Sequence, residues 1–518
     1  MNTIMKRANS LSVAQQQHCD DALTWLRARG LSAQSGQQLS SDSRQLNSGD
    51  VFVAYAFDAN NDARDHAQAA IEKNPAAVLW QSGRAFDADL PHLAVENLNQ
   101  YAGHIAHAYY QAPSDAMACI AITGTNGKTS SAQWLAQLLT ASTQKCAMMG
   151  TLGVGFVDAM RETGFTTPQA IEVHRLLHEV RNDGAQAIAM EVSSHALTQG
   201  RVNGVAFSVA LFTNLSRDHL DYHGSMSEYE AAKAQLFTWQ GLKVAVVNTD
   251  DEAGMRMAQL AGSCGIRVIG YGLDNEPIGL SLYLQAVEID QSGAQTVFTL
   301  NLRGEQQRIT SSLIGQFNVM NLLGVLGVMS ALGHNLNNVA PLCHKIVAAP
   351  GRMQRFGGDG KPVVVVDFAH TPDALEKTLD ALAPIATQRG GRLICVFGCG
   401  GDRDAGKRPQ MGRIAARIAD CVWVTSDNPR TENADGICAQ IRVGVDELAS
   451  DTLEVHQEVS RKTAIDAAIA NASASDVILI AGKGHEAYQD IMGVKHPYSD
   501  LEQVAQALSR LNPLTEKA

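Results

Sequence analysis

The 518-residue chain has no uninterrupted apolar run of about 18 residues, the length a helix needs to cross a bilayer, so no membrane span is expected. Its opening residues, MNTIMKRANSLSVAQQQH, carry two basic side chains but no apolar stretch. That argues against a secretory signal and for the cytoplasm. Cysteine is sparse and unpatterned. The nine are an odd number, and the tightest spacing is the CxxxC of Cys395 and Cys399 rather than CxxC. A disulfide framework or a structural zinc site is therefore not expected, and most cysteines read as small core hydrophobes. Positive charge is also short. With 41 Lys and Arg against 53 Asp and Glu the formal charge is −12, which excludes a general nucleic-acid binder held by its phosphate field. Any anionic substrate must be met by lysines and arginines gathered locally. No internal repeat or low-complexity block is present. A composition of 45% hydrophobic and 18% charged residues is that of a globular chain, long enough for about three domains.

What is present is a repeated sequence of apolar run, loop and helical pattern. The first hundred residues mix short strands such as VFVAYAF (51–57) and AAVLW (76–80) with helices, one of them around 98–111. Ala112-Pro113-Ser114 then marks a boundary. Runs at 117–123, 185–194, 207–216 and 243–250 follow, and Ala349-Pro350-Gly351 marks a second boundary after the apolar helix at 322–333. The alternation restarts at 363–370, 392–401, 420–430 and 476–486. Short apolar runs separated by helices predict doubly wound parallel sheets, hence three α/β domains over 1–112, 113–349 and 350–518. Polar residues cluster where the runs end, as ligand sites at the carboxyl ends of parallel strands should.

The sharpest local signal is Gly124-Thr125-Asn126-Gly127-Lys128-Thr129-Ser130 between a strand and a helix. Glycines let backbone N–H groups close on phosphates, and the helix start adds free donors. Lys128 can reach the outer phosphates, and Thr129 or Ser130 offers a hydroxyl to Mg²⁺. Ile122 stands where the full G-x-x-x-x-G-K-[ST] pattern has glycine. The next strand ends in Glu191-Val192-Ser193-Ser194-His195, and a carboxylate there is a natural Mg²⁺ ligand. The strand after it ends in Asn214-Leu215-Ser216-Arg217-Asp218-His219-Leu220-Asp221-Tyr222-His223-Gly224, a density of ligand types that packing rarely produces. Lys233, in SEYEAAKAQLF, would on its own be an exposed lysine.

Taken in order, GTNGKTS, TTP (166–168), EVSSHAL, NLSRDHLDYHG, Lys233, GQFNVMN (315–321), GRMQRF (351–356), VDFAHTPDAL (367–375), GCGGDRD (398–404), DNPR (427–430) and GKGHE (482–486) resemble the Mur ligases of bacterial peptidoglycan synthesis. The resemblance spans residues 40 to 500. It implies an N-terminal uridine-nucleotide domain, a central phosphate-loop ATPase domain and a C-terminal Rossmann-like domain. It also implies ATP bound by residues 124–130 with Asn318, Arg352 and Asp367, and Mg²⁺ held by Thr129, Glu191, His219 and Lys233. Lys233 matches a lysine carried as a CO₂-derived carbamate. Catalytic roles then fall to Lys128, Glu191, His219 and Lys233. Ser43, Thr166, Thr167, Ser193, Gln199 and Arg201 match the site of the nucleotide-sugar peptide, implied to be UDP-N-acetylmuramoyl-L-alanyl-D-glutamate. Arg403, Asp427, Asn428, Pro429, Arg430, Gly482 and Glu486 match the site of the incoming amino acid, implied to be meso-2,6-diaminopimelate. There Arg430 would read the distal carboxylate and Glu486 the distal ammonium. Two departures bear on the nucleotide-sugar site: Phe165 replaces a common Asn, and Asp58-Ala59-Asn60 replaces a His-containing stretch.

Two neighbouring enzyme readings are weaker. Folylpolyglutamate synthases lack a domain ahead of the phosphate loop, and the sister ligase that adds D-Ala-D-Ala lacks DNPR with GKGHE. A non-catalytic ATP-gated binding protein would have no use for Lys128, Glu191, His219 and Lys233 together.

Overall fold

The structure, a computed structural model, describes residues 7–511 except 59, 275, 291–294, 359, 449 and 451. Three α/β units follow one another, each built on its own sheet. The first sheet has four parallel strands, Leu39–Ser40, Val51–Ala54, Ala77–Gln81 and His92–Val95, in sequence order. Helices Val13–Arg27 and Leu98–Tyr109 cover it, burying Leu23, Leu26, Leu98, Tyr101 and Ile105 against Val51 and Val53.

The central sheet has eleven strands. Ala118–Thr123 lies in its middle, parallel to Ala187–Glu191 on one side and Phe207–Phe212 on the other. All three are buried along nearly their whole length, since helices cover both faces of a parallel sheet. Helices Lys128–Ala141 and Gln316–Ala331 pack on one face, and Ala170–Asn182 with Glu252–Ser263 on the other. Outside this parallel core the sheet continues antiparallel through Thr296–Leu302 and Glu305–Ser311, strands that alternate buried and half-exposed residues.

In the third unit Val363–Asp367, Val477–Ala481, Leu393–Phe397, Cys421–Val424 and Glu454–Gln457 run parallel in that spatial order. Asp367, Ala481 and Phe397 lie side by side in register, and Phe397 lies beside Val424. Four strands therefore end at one level and deliver the FAH, GKGHE, GCGG and DNPR segments to a single edge. Of the nine cysteines, all free, eight are buried. No helix among the described residues is long and apolar enough to cross a membrane.

Candidate active site

The phosphate loop takes its shape from strand register. Ile122 pairs with Glu191 and Thr123 with Phe212, so the loop that starts at Gly124 emerges between the ends of both neighbours. Gly124 (φ 145°) and Gly127 (φ 86°) occupy backbone regions that L side chains rarely enter. A Cβ at Gly124 would come within 1.9 Å of Thr213 Oγ1, and one at Gly127 within 2.3 Å of Asn321 Oδ1. Gly127 also caps helix Lys128–Ala141, whose first N–H groups face the loop.

Two lysines converge on one carbonyl. Lys128 Nζ donates to the carbonyls of Gly124 and Thr125, both at 2.8 Å, and Lys233 Nζ donates to Gly124 at 2.9 Å. Among the described residues neither forms an ion pair. Burial pushes the Lys233 amine well below the ordinary lysine range, and the Lys128 charge pushes it further. Burial also lowers Lys128, against the pull of Glu191 and Asp218. Glu191 is 1% exposed. It accepts from Thr129 Oγ1 at 2.9 Å, Thr151 N at 2.8 Å and Thr151 Oγ1 at 3.2 Å.

His219 heads a short helix with φ 55° and sits 3.4 Å from the Asp218 carboxylate. Burial lowers its pKa despite that partner. His195, 4.9 Å away ring to ring, is pulled down to about 4, first by burial. Behind them lies a connected polar group. Thr151 and Thr166 hydroxyls meet at 3.1 Å, Thr167 Oγ1 donates to the Glu191 carbonyl at 2.9 Å, and Ser193 N donates to Thr167 Oγ1 at 3.2 Å. Arg201 donates to Gln199 Oε1 at 2.8 Å and to the Thr167 carbonyl at 2.9 Å. Phe165 is half-exposed, with the Arg201 guanidinium 5.8 Å from its ring centre. Gln199 reaches Asp58 of the first unit at 3.3 Å; Ala59 lies outside the described residues. Ser43 is buried in the loop after the first strand.

Across the cleft, the C-terminal strand ends build a second corner. Lys483 Nζ donates to Asn428 Oδ1 and Glu486 Oε2, each at 2.8 Å. Asn428 Nδ2 donates to Glu486 Oε2 at 2.8 Å. Burial raises the Asp427 pKa, opposed by Arg461 and Lys483. Gly482 (φ 117°) brings its backbone so near Asp427 that a Cβ would lie 2.4 Å from Oδ2. Pro429 leads into Arg430, which adopts φ 51° and is tied to a hairpin. Its N–H donates to Asp490 O at 3.0 Å, and its carbonyl accepts from Met492 at 2.7 Å. The guanidinium donates to Gly401 O at 2.6 Å.

One cavity of about 920 Å³ joins the two corners. It is lined by residues 125–130, Thr166, Glu191 and His219 on one side, and by Arg352, Arg403, Asp427, Asn428, Arg430, Gly482 and Glu486 on the other. Gly124, Lys233, Thr167, Ser193, Gln199, Arg201 and Pro429 are not part of this lining. Asn318 turns its amide back to the Ile314 carbonyl at 2.7 Å, and Asn321, one turn on, is the residue against the loop. Asp367 accepts from Met353 N at 2.7 Å rather than facing the cavity, while Arg352 stacks 4.3 Å over Phe368. Of the four expected metal-side groups, Thr129 and Glu191 are in contact; His219 and Lys233 bond elsewhere. Sequence reasoning did not single out Thr151, Asn321, Asp373 or Lys483. Asp373 accepts from Asn126 Nδ2 at 3.2 Å across the cleft, and such partners distant in sequence leave no local pattern.

A phosphate loop and a polar corner of the C-terminal unit that face each other across one cleft are the arrangement of an ATP-dependent ligase. The Mur ligase middle domain matches residues 122–329, and the Mur ligase glutamate ligase domain matches residues 351–484. The UDP-N-acetylmuramoyl-L-alanyl-D-glutamate–2,6-diaminopimelate ligase of Ralstonia nicotianae is 48% identical over 498 residues, 94% of this chain and 95% of that one. The enzyme of the same name from a Janthinobacterium species is 46% identical over 497 residues, 94% and 96% of the two chains. A solved structure of a ligase of that name is 36% identical, covers 91% of this chain and 94% of the other, and superposes with a TM-score of 0.64. The chain belongs to the Mur ligase family.

Proposed function

We propose that this protein joins meso-2,6-diaminopimelate to the γ-carboxylate of the D-glutamyl residue of UDP-N-acetylmuramoyl-L-alanyl-D-glutamate at the expense of ATP, in the cytoplasm. Residues 1–112 would take the uridine nucleotide, 113–349 the ATP and 350–518 the amino acid. The observation that carries this reading is the pairing across one cavity of a glycine-rich loop bearing Lys128 with a corner holding Arg430, Asn428 and Glu486. The relatives named for that reaction, alike along nearly the whole chain, support it.

In this reading the glutamyl carboxylate attacks the γ-phosphorus of ATP, and ADP departs. The amine of diaminopimelate then attacks the acyl phosphate, and phosphate leaves. Two anions meet in the first step, so the chain contributes by positioning and by charge neutralisation. Loop N–H groups and Lys128 hold the phosphates. Thr166, Thr167, Ser193, Gln199 and Arg201 hold the nucleotide-sugar peptide. The Thr129 hydroxyl and Glu191 carboxylate, in contact and lining the cavity, are hard oxygen donors of the type Mg²⁺ takes. Mg²⁺ held there would neutralise charge on the phosphoryl group, with His219 on the metal side. Lys233 is buried and displaced toward its neutral form, the form in which an amine adds to CO₂ and releases a proton to give a carbamate. A native mass spectrum showing one added CO₂, absent from Lys233→Ala, is the expected result. Phosphate release should require the UDP-dipeptide, and in an amino-acid panel it should favour meso-diaminopimelate. Release driven equally by L-lysine or by D-Ala-D-Ala would refute the assignment.

A further inference from the structure

We propose that Lys483 is a positioning residue that sets which end of an amino acid the C-terminal corner accepts. The inference rests on the diaminopimelate reading above. The side chain lies at 0% exposure just past strand Val477–Ala481 and is not part of the cavity lining. Its ammonium donates to Asn428 Oδ1 and Glu486 Oε2, each at 2.8 Å, with Asp427 Oδ1 at 3.9 Å.

Counting donors and acceptors shows what this clamp achieves. Asn428 Oδ1 also accepts from the Asp490 N–H at 2.9 Å, so both of its lone pairs are taken. The amide NH₂ gives one hydrogen to Glu486 Oε2, which leaves one N–H. A flipped amide would aim its NH₂ at an ammonium and at a backbone N–H, donors facing donors, so the orientation is fixed. Glu486 Oε2 already holds two donors, and its remaining acceptor is Oε1. Towards the cavity the pair therefore offers one donor from Asn428 and one acceptor from Glu486, beside the Arg430 guanidinium. A carbon bearing both carboxylate and ammonium satisfies that set. A lone ammonium, as at the far end of lysine, satisfies only the acceptor.

Removing the ammonium takes away one of the two donors that hold Asn428 Oδ1 and the cation that lies between Glu486 and Asp427, so both the amide and the Glu486 carboxylate lose their fixed placement. In Lys483→Met, measured by phosphate release on the full-length enzyme, the KM for diaminopimelate should rise about 10- to 100-fold. The KM values for ATP and UDP-dipeptide should stay within about twofold. The preference for diaminopimelate over L-lysine should fall by a factor similar to the KM rise. Lys483→Arg, which keeps a cationic donor for Asn428 Oδ1 and Glu486 Oε2, should keep the diaminopimelate preference near wild type, whereas Lys483→Gln should lose part of it with the same split; that pair decides the matter if Lys483→Met does not fold. An unchanged diaminopimelate KM in folded Lys483→Met, or a parallel rise in all three KM values, overturns the proposal. Absence of diaminopimelate-dependent turnover in the wild-type enzyme would instead overturn the reading on which it rests.

Discussion

In the phosphate corner Lys128, half-buried, and Lys233, buried, share the carbonyl of Gly124, and among the described residues neither forms an ion pair. At the other end of the same cleft Lys483 is clamped by Glu486 and Asn428, and Arg461 is paired with Asp500 at 0% exposure for both side chains. Burying an unpaired charge is costly, so Lys233 is pushed toward its neutral form and Lys128 is the cation that, on the proposed reading, a triphosphate would meet. The second corner is balanced internally because a zwitterion brings no net charge. On the proposed reading, each corner would thus suit the formal charge of its ligand.

The largest effect is expected from discharging the first corner. On the proposed reading Lys128→Ala would remove a cation from the transferring phosphoryl group and should lower turnover at least about 10³-fold, on the order of 4 kcal/mol, with melting temperature nearly unchanged. Near-normal phosphate release would take the central unit out of the chemistry. The balanced corner should respond in stability instead. Arg461 donates to Asp500 at 2.8 and 2.6 Å, and also to the Ser426 and Ala481 carbonyls that precede Asp427 and Gly482. Arg461→Leu strands the Asp500 carboxylate and should cost about 3–5 kcal/mol in denaturant unfolding. A loss below about 1 kcal/mol would mean that this pair does not hold the two loops.

Arg430 separates charge balance from recognition. It is only half-buried, and its backbone is locked to the hairpin independently of the side chain. Arg430→Ala should leave stability intact and raise the KM for diaminopimelate about 10- to 100-fold, as losing a charged two-point contact does. ATP affinity should not move; if it does, the corners are coupled and the comparison fails.

The parallel strands were legible because strands buried on both faces read as plain apolar runs, as Val363–Asp367 and Val477–Ala481 do. The antiparallel extension at Thr296–Leu302 and Glu305–Ser311 was not, because its half-solvated strands mix polar and apolar residues. The same split divides the site. Glu191 ends a strand, and Lys128 and Arg430 follow strand ends by a few residues, where position in the chain predicts position in space. Asn126 and Asp373 meet only because two units close on each other, and Lys483 was legible as a letter of GKGHE but not as the cation beneath it. A local pattern carries which strand end a residue occupies, not which way its side chain turns once neighbours from other strands arrive.

The smallest effect expected is a pH dependence of stability, and it tests whether added positive charge is tolerated at either corner. His195, in the phosphate corner, and His485, in the amino-acid corner, are each pulled down to about 4, chiefly by burial. The His223 charge adds to the depression at His195 and Arg352 adds to it at His485. Unfolded histidine titrates near 6.5, so below that pH the unfolded chain binds protons that the folded one refuses. Stability contributed by the neutral rings is therefore complete above about pH 6.5 and is lost as pH falls towards about 4. Discounted for partial exposure, each ring accounts for about 1 kcal/mol at pH 5. The melting temperature should be flat above pH 6.5, decline below it, and decline less steeply in His195→Gln and in His485→Gln. If both variants keep the wild-type slope, the protons that destabilise the fold bind elsewhere, and the acid sensitivity of the cleft is not set by these two rings.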